Sequence, residues 1–270
     1  MLAPSGFPTK AFGNDKNFII DTHAHIDQLA DLEGALQRAD EAGVSDIVAV
    51  SVDLDSMRKI ADIANVHTRP RIHPAFGVHP GNIKPEESAG TQAFMRAHLK
   101  DAIAVGETGL DYQYKWARKD EAERNKQKTS FQMQLDLARE FDLPIIIHSR
   151  GAERDCLSMA KFSKIQRALF HWYSGPVDIL DGILEAGYYV STSPSVARSP
   201  QSRAAMAHAP LECILLETDT PVHFNDEQGG FDSEPKDVLK TLAALSALKG
   251  MEEATVLEQV NTNAKTFFRI

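Results

Sequence analysis

Residues 131–150 read FQMQLDLAREFDLPIIIHSR, and they contain one whole unit of the fold. Phe131, Leu135, Ala138 and Phe141 recur at helical spacing, so the first half lays an apolar stripe along one helix face. Pro144 ends that pattern and opens Ile145, Ile146 and Ile147, an unbroken apolar strand of the kind buried on both faces. The strand then delivers His148, Ser149 and Arg150, so polar chemistry is carried at its carboxyl end.

The same alternation runs outward in both directions. Strand patterns lie at 18–22, 46–52, 73–78, 103–106, 144–147, 168–170, 188–192 and 213–216. Helical patterns lie between them at 32–42, 56–67, 91–100, 119–141, 152–162, 177–186 and 202–209, and two more follow at 237–248 and 252–268. Gly43 and Gly187 stand where helices end. Eight strand–helix units in about 250 residues predict an α/β fold, a closed (β/α)8 TIM barrel, with an open doubly wound sheet as the alternative. In such a barrel the active site lies at the C-terminal face of the strands. No G-x-G-x-x-G follows a strand and no P-loop motif occurs, so neither nucleotide site has support. The expected organisation is an N-terminal extension over 1–17, partly disordered or packed beneath the barrel, and a single hydrolase domain over 18–270.

With 29 Lys and Arg against 38 Asp and Glu the formal net charge is −9. That balance argues against a DNA reader with a basic stripe, but not against an enzyme whose bound cations supply positive charge. Cys156 and Cys213 stand far apart with no C-x-x-C spacing, which excludes a disulfide framework and a cysteine zinc site. No apolar run approaches the ~18 residues of a membrane span, and 1–17 lacks a signal-peptide core. The expectation is a soluble cytoplasmic protein with no membrane partner and no evident obligate protein partner.

The functional signal is positional. His23, His25, His79, His148 and His171 all fall at carboxyl ends of predicted strands, joined there by Asp21, Asp53, Glu107, Asp111, Glu217 and Asp219. In 21–25 the alternate residues share one strand face, so two imidazoles can bind one cation with the Asp21 carboxylate below them. Glu107 leaves its strand beside glycines, and Arg150 follows His148 with a guanidinium suited to phosphate. His171 repeats the His148 geometry with Trp172 after it, and Glu217 and Asp219 share a face, one to ligate and one to orient. Singly, each segment also reads as packing: a helix-capping Glu, a satisfied core His, an aromatic plug. Gathered in one barrel they are hard to explain that way, because unpaired buried charge is costly. Imidazole and carboxylate without thiolate admits Zn, Mn or Fe, and Mg at a more hydrated position.

The segments DTHAH (21–25), GVHPG (77–81), VGETGLDY (105–112), IHSR (147–150), HWYSG (171–175) and ETDTP (217–221), in this order, resemble the TatD family of metal-dependent deoxyribonucleases, within the amidohydrolase-like barrel superfamily. The resemblance implies two divalent metal ions at the barrel mouth. By it His23 and His25 hold one ion, His148 and His171 the other, Glu107 bridges, and Asp219 acts at the first as ligand and base. His79 and Arg150 become phosphate contacts, Glu217 an orienting group behind the ligands, and Asp21, Asp111 and Trp172 rim or supporting residues. The implied substrate is DNA, as single strands or strand ends. Two departures border the substrate cleft: Trp172-Tyr173 replaces the usual Cys-Phe, and 222–235 has no family-typical wording.

Exposed bases at that rim would find Tyr112, Tyr114, Trp116, Trp172 and Tyr173 available for stacking. Because histidine must be neutral to ligate, metal occupancy and activity are expected to fall together below about pH 6. Competing readings keep the barrel and cleave small esters, amides or aminoacyl-tRNA, or treat it as a non-catalytic scaffold. Related C–N hydrolases often bridge their metals with a carboxylated lysine, and no strand here ends in lysine.

Overall fold

In a computed structural model of the chain, residues 18–225 and 229–270 are described; the expectation for 1–17 lies outside them. Eight parallel strands follow one another in chain order: β1 (Ile19–Ala24), β2 (Val44–Val50), β3 (Arg71–Phe76), β4 (Ala104–Asp111), β5 (Ile145–Arg150), β6 (Ala168–Phe170), β7 (Tyr189–Thr192) and β8 (Ile214–Leu216). The barrel closes just past β8, where Ala24 bridges Thr220 in parallel; Asp219 N–H donates to His23 O at 3.0 Å and His25 N–H to Thr220 O at 2.9 Å. Closure rules out the open doubly wound sheet, and the (β/α)8 expectation holds.

Alternation along the strands divides the core. Ile20, Val48, Val50, Ala75, Ala104, Ile146, Leu169 and Leu215 pack together with Phe267 and Phe268. Their neighbours Ile19, Ile47, Phe76, Val105, Ile145, Ile147, Phe170 and Val190 join the larger cluster shared with the helices. Strands buried on both faces need apolar residues at both parities, which is why their sequences read as continuous runs.

The helices are α1 (Leu32–Glu41), α2 (Leu54–Val66), α3 (Ser88–His98), α4 (Glu121–Glu140), α5 (Glu153–Phe162), α6 (Val177–Glu185), α7 (Pro200–His208), α8 (Val238–Lys249) and α9 (Glu253–Phe268). Their starts are written locally. Asp31, Asp53, Asp120 and Ser199 each cap a helix by accepting from a first-turn N–H. Asp53, expected among the rim acids, caps α2 through Ser56 N–H at 3.0 Å and is not one of the residues grouped as candidate cation ligands.

Three strands run further at their carboxyl ends than their sequence pattern, β1 to Ala24, β5 to Arg150 and, furthest, β4. β4 continues past Gly106 to Asp111, pairing Thr108 with Ile147 and Asp111 with Arg150 after an irregularity between Val105 and Thr108. Such an irregularity re-aims side chains, and Glu107 sits in it. Gly109 has φ 137°, and a Cβ there would fall 2.1 Å from His148 O, so only glycine lets β4 lie this close to β5. In the 222–235 segment the sequence showed no element, but His223–Phe224 (β9) and Phe231–Asp232 (β10) pair as an antiparallel ribbon. Among the described residues no helix is long and apolar enough to cross a membrane.

Candidate metal centre

The site is assembled from strand ends around Glu107, which is 2 % exposed. Its two carboxylate oxygens face different histidines. Oε2 lies 3.2 Å from His25 Nε2 and 3.5 Å from His23 Nε2. Oε1 lies 2.8 Å from His148 Nδ1 and 2.7 Å from His171 Nε2. Asp219 Oδ1 completes the first side at 3.4 Å from both His23 Nε2 and His25 Nε2. Its backbone is left-handed, φ 54°, a conformation Asp tolerates and the barrel-closing hydrogen bond holds.

Three sets of side chains offer ligand atoms within 4.8 Å of one another: His23, His25 and Asp219; His23, Glu107 and His171; His79, Glu107 and His148. The donor set fits divalent cations. Both ring nitrogens of His23 and Nδ1 of His171 are buried without a hydrogen-bond partner, and a buried polar atom left unpaired is costly unless something binds it.

Tautomers separate ligand from donor. His25 Nδ1 lies 3.1 Å from the Val50 carbonyl, which can only accept, so His25 keeps its Nε2 lone pair for the cluster. His79 is the reverse: its Nδ1 accepts from Gly81 N–H at 3.0 Å, which leaves the proton of the neutral ring on Nε2, 3.7 Å from Glu107 Oε1. Burial lowers the His79 pKa to about 3 and keeps that ring neutral. This chemistry suits the expected donor to phosphate better than a ligand, although His79 stands close enough to Glu107 and His148 to be counted with them.

The supporting acids take separate tasks. Glu217 is fully buried, accepts from Ser191 Oγ at 2.5 Å and sets Oε1 3.5 Å from His171 Nδ1. Asp111 receives His148 Nε2 at 2.9 Å and Arg150 Nε at 2.8 Å, joining the cluster to the guanidinium. Asp21 accepts from Thr218 Oγ1 at 2.6 Å and Thr218 N–H at 3.0 Å, so it ties the loop after β8 to β1. Burial raises its pKa well above the usual carboxylate range.

Burial opposes charge throughout, yet proximity wins at most of the centre. Burial pushes the Glu107 carboxyl up, but the charge of His171 and the hydrogen bonds of His148 and His171 hold it well below its usual range. Asp219 is lowered in the same way, its burial outweighed by a hydrogen bond from His25 and by the His171 and His25 charges. Burial lowers His25, but Asp219 and Glu107 push it up to about 10. Against the same burial His148 is raised by Asp111 and Glu107, and His171 well above its usual value by Glu107 and Glu217. At His23 burial prevails and the pKa falls.

Of the five aromatic residues expected at the rim, two are committed to packing. Tyr173 is 1 % exposed and donates to Pro176 O at 2.7 Å, and Tyr112 donates to Asp155 Oδ2 at 2.8 Å beneath Arg124. Trp172 is half-buried, with its indole N–H on Ser195 Oγ at 2.7 Å and its ring centroid 5.5 Å from that of Phe224. The two departures from the family wording therefore touch each other. Two residues escaped the sequence reading. Gln127 brackets the Asp111 backbone, accepting from its N–H (2.8 Å) and donating to its C=O (3.0 Å), and Gln134 does the same to Val78 (2.7 and 3.2 Å). Their signal was a fully buried polar residue on the apolar stripe of α4.

The model of the family described as TatD related DNase matches residues 20–269. The chain belongs to this family. A human relative named deoxyribonuclease TATDN3 is 28% identical over 263 residues, covering 93% of this chain and 94% of the relative. The Escherichia coli relative YjjV, named an uncharacterized metal-dependent hydrolase, is 27% identical over 261 residues, covering 93% and 98%. The crystal structure of that TatD homolog superposes with a TM-score of 0.84, covering 93% of this chain and 98% of the other. All six motif segments of this TatD-family chain lie inside the matched span.

Proposed function

We propose that this chain is a deoxyribonuclease that hydrolyses phosphodiester bonds of DNA at a centre of two divalent cations. Membership of the TatD family makes it a metal-dependent hydrolase acting on ester bonds. The observation that carries the two-ion reading is Glu107, whose oxygens address the His23/His25 pair and the His148/His171 pair separately. Bound there, divalent ions supply Lewis-acid polarisation of the phosphoryl oxygens and acidify water near neutral pH. His23, His25 and Asp219 would hold one ion, His148 and His171 the other, with Glu107 shared.

The chain's own groups supply the rest. Asp219, held ionised by its histidine neighbours, orients the attacking water and accepts its proton. Among the described residues Arg150 donates only its Nε, to Asp111, and is 55% exposed at its side chain, which leaves its other N–H groups available to a phosphoryl oxygen. His79 Nε2–H is a second, neutral donor. A guanidinium fixed at the mouth favours a phosphodiester over an uncharged ester.

The test is hydrolysis of end-labelled single-stranded DNA by metal-stripped protein resupplied with Mg²⁺, Mn²⁺ or Zn²⁺, beside Glu107→Gln and Asp219→Asn. Shortening that needs metal and disappears in both variants is expected. Absence of cleavage with metal bound, together with turnover of carboxyl esters, would reject the nuclease reading.

A further inference from the structure

We propose that Tyr114 and Trp116, on the turn between β4 and α4, form a stacking platform for a nucleobase of a single-stranded substrate beside the metal centre. This rests on the nuclease reading and specifies how the strand is held.

The two rings lie nearly parallel, with centroids 5.1 Å apart and planes 9° from each other. Tyr114 links the pair to the centre: its ring is perpendicular to His79 at 6.3 Å, and the Arg150 guanidinium carbon lies 5.3 Å from its centroid. One indole face is spent on Tyr114, and Trp116 is still 44% exposed, which leaves a large apolar face in water at the rim.

The turn that carries it is braced. Ala117 N–H and Arg118 N–H both donate to Tyr114 O at 3.0 and 2.9 Å, and Arg124 Nε donates to Ala117 O at 2.9 Å. Ala117 is fully buried, and Gln113 N–H is held by Asp111 Oδ1 at 2.8 Å. Gly81 completes the fit, since a Cβ there would lie 2.7 Å from the Tyr114 hydroxyl. A side chain at residue 81 would push this ring away from its present seat on the GVHPG segment. An aromatic pair fixed this firmly and still exposed is built to meet something flat.

Charge selects what that is. In a chain of net charge −9, residues 113–119 (QYKWARK) hold Lys115, Arg118 and Lys119 and no acid, and Arg150 stands on the inner side. Aromatic faces interleaved with cations match a single strand, whose bases offer free π-faces and whose phosphates follow at each step. Bases inside a duplex are already stacked on one another and present no such face.

The test compares a short labelled oligodeoxythymidylate with the same sugar–phosphate chain carrying abasic residues. Binding is read by fluorescence anisotropy in chelator, and KM by hydrolysis after metal is restored. The parent is expected to bind the thymidylate about tenfold more tightly than the abasic chain. Trp116→Ala should bring that ratio close to unity, and Trp116→Phe should keep most of it. Equal binding of both chains by the parent, including no binding of either, overturns the platform, as does a ratio preserved in Trp116→Ala. Base-dependent binding without cleavage of either chain would leave the platform standing and remove the nuclease reading. Cleavage indifferent to the bases would do the opposite.

Discussion

At single residues, the proposed centre sets protons and cations in competition for the same lone pairs. His25, His148 and His171 are raised by the carboxylates around them, and His25, at about 10, and His171, well above its usual value, hold protons at neutral pH in the metal-free chain. Cations must displace those protons. The competition expected below about pH 6 from an ordinary imidazole thus extends upward. Loading metal at about pH 7.5 should release protons, measured as a dependence of the calorimetric heat on buffer ionisation enthalpy, and apparent affinity should keep rising above pH 7. Heat independent of buffer would contradict the assignment. Glu217 supports His171 from behind, so Glu217→Gln should weaken metal binding about 10–100-fold with the fold retained, read by competition with a chromophoric chelator. An affinity equal to the parent's would reduce Glu217 to a packing role.

At the scale of elements, the site depends on strands arriving at the right height and angle. The irregularity in β4 aims Glu107 into the barrel mouth, and α4 fixes the following segment by clamping Asp111 through Gln127. Gln127→Leu leaves a buried N–H and C=O without partners and should cost about 1–3 kcal/mol for each group left unsatisfied, visible as a lower urea midpoint. Since Asp111 holds both His148 and Arg150, the same variant should also lose activity. Asp53→Ala removes the cap of α2 and a 3.9 Å ion pair with Lys84, and should cost about 1 kcal/mol with turnover unchanged. Equal activity in the two variants would show that the α4 clamp does not position the centre.

For the whole molecule, metal and stability are linked. In chelator, the raised His25, His148 and His171 bind more protons folded than unfolded above about pH 6.5, so stability falls as pH rises through their folded values. The lowered His23 and His79 act in the other direction, losing stability as pH drops below about 6.5. The depressed Glu107 and Asp219 add a further loss at more acid pH. Asp21, with its raised carboxyl, acts in the same sense as the raised histidines, so the metal-free chain should lose stability as pH rises above neutrality, and saturating cation should reduce that decline. A urea midpoint that climbs from pH 7 to 9 in chelator would contradict this.

Much of the fold was legible in the sequence because strands buried on both faces have nowhere to hide polar residues, so Ile145 to Ile147 or Ile214 to Leu216 stand out as apolar runs. The strand ends were harder. β4 runs on through Glu107 to Asp111 because Gly109 lets it press against His148, a tertiary contact that local pattern does not contain. The ligand-type residues were visible as histidines and acids at strand ends, but the division of Glu107 between two histidine pairs is set by side-chain direction. The rim aromatics looked alike in sequence, and only burial separates Tyr173 from Trp116.

If Glu107 joins two cation sites, electron paramagnetic resonance of the Mn²⁺-loaded chain will show the two ions as a coupled pair. The parent should take up two Mn²⁺ with a spin-coupled spectrum, and Glu107→Gln should lose the coupling. A single bound ion, two uncoupled ions in the parent, or coupling that survives Glu107→Gln would contradict it.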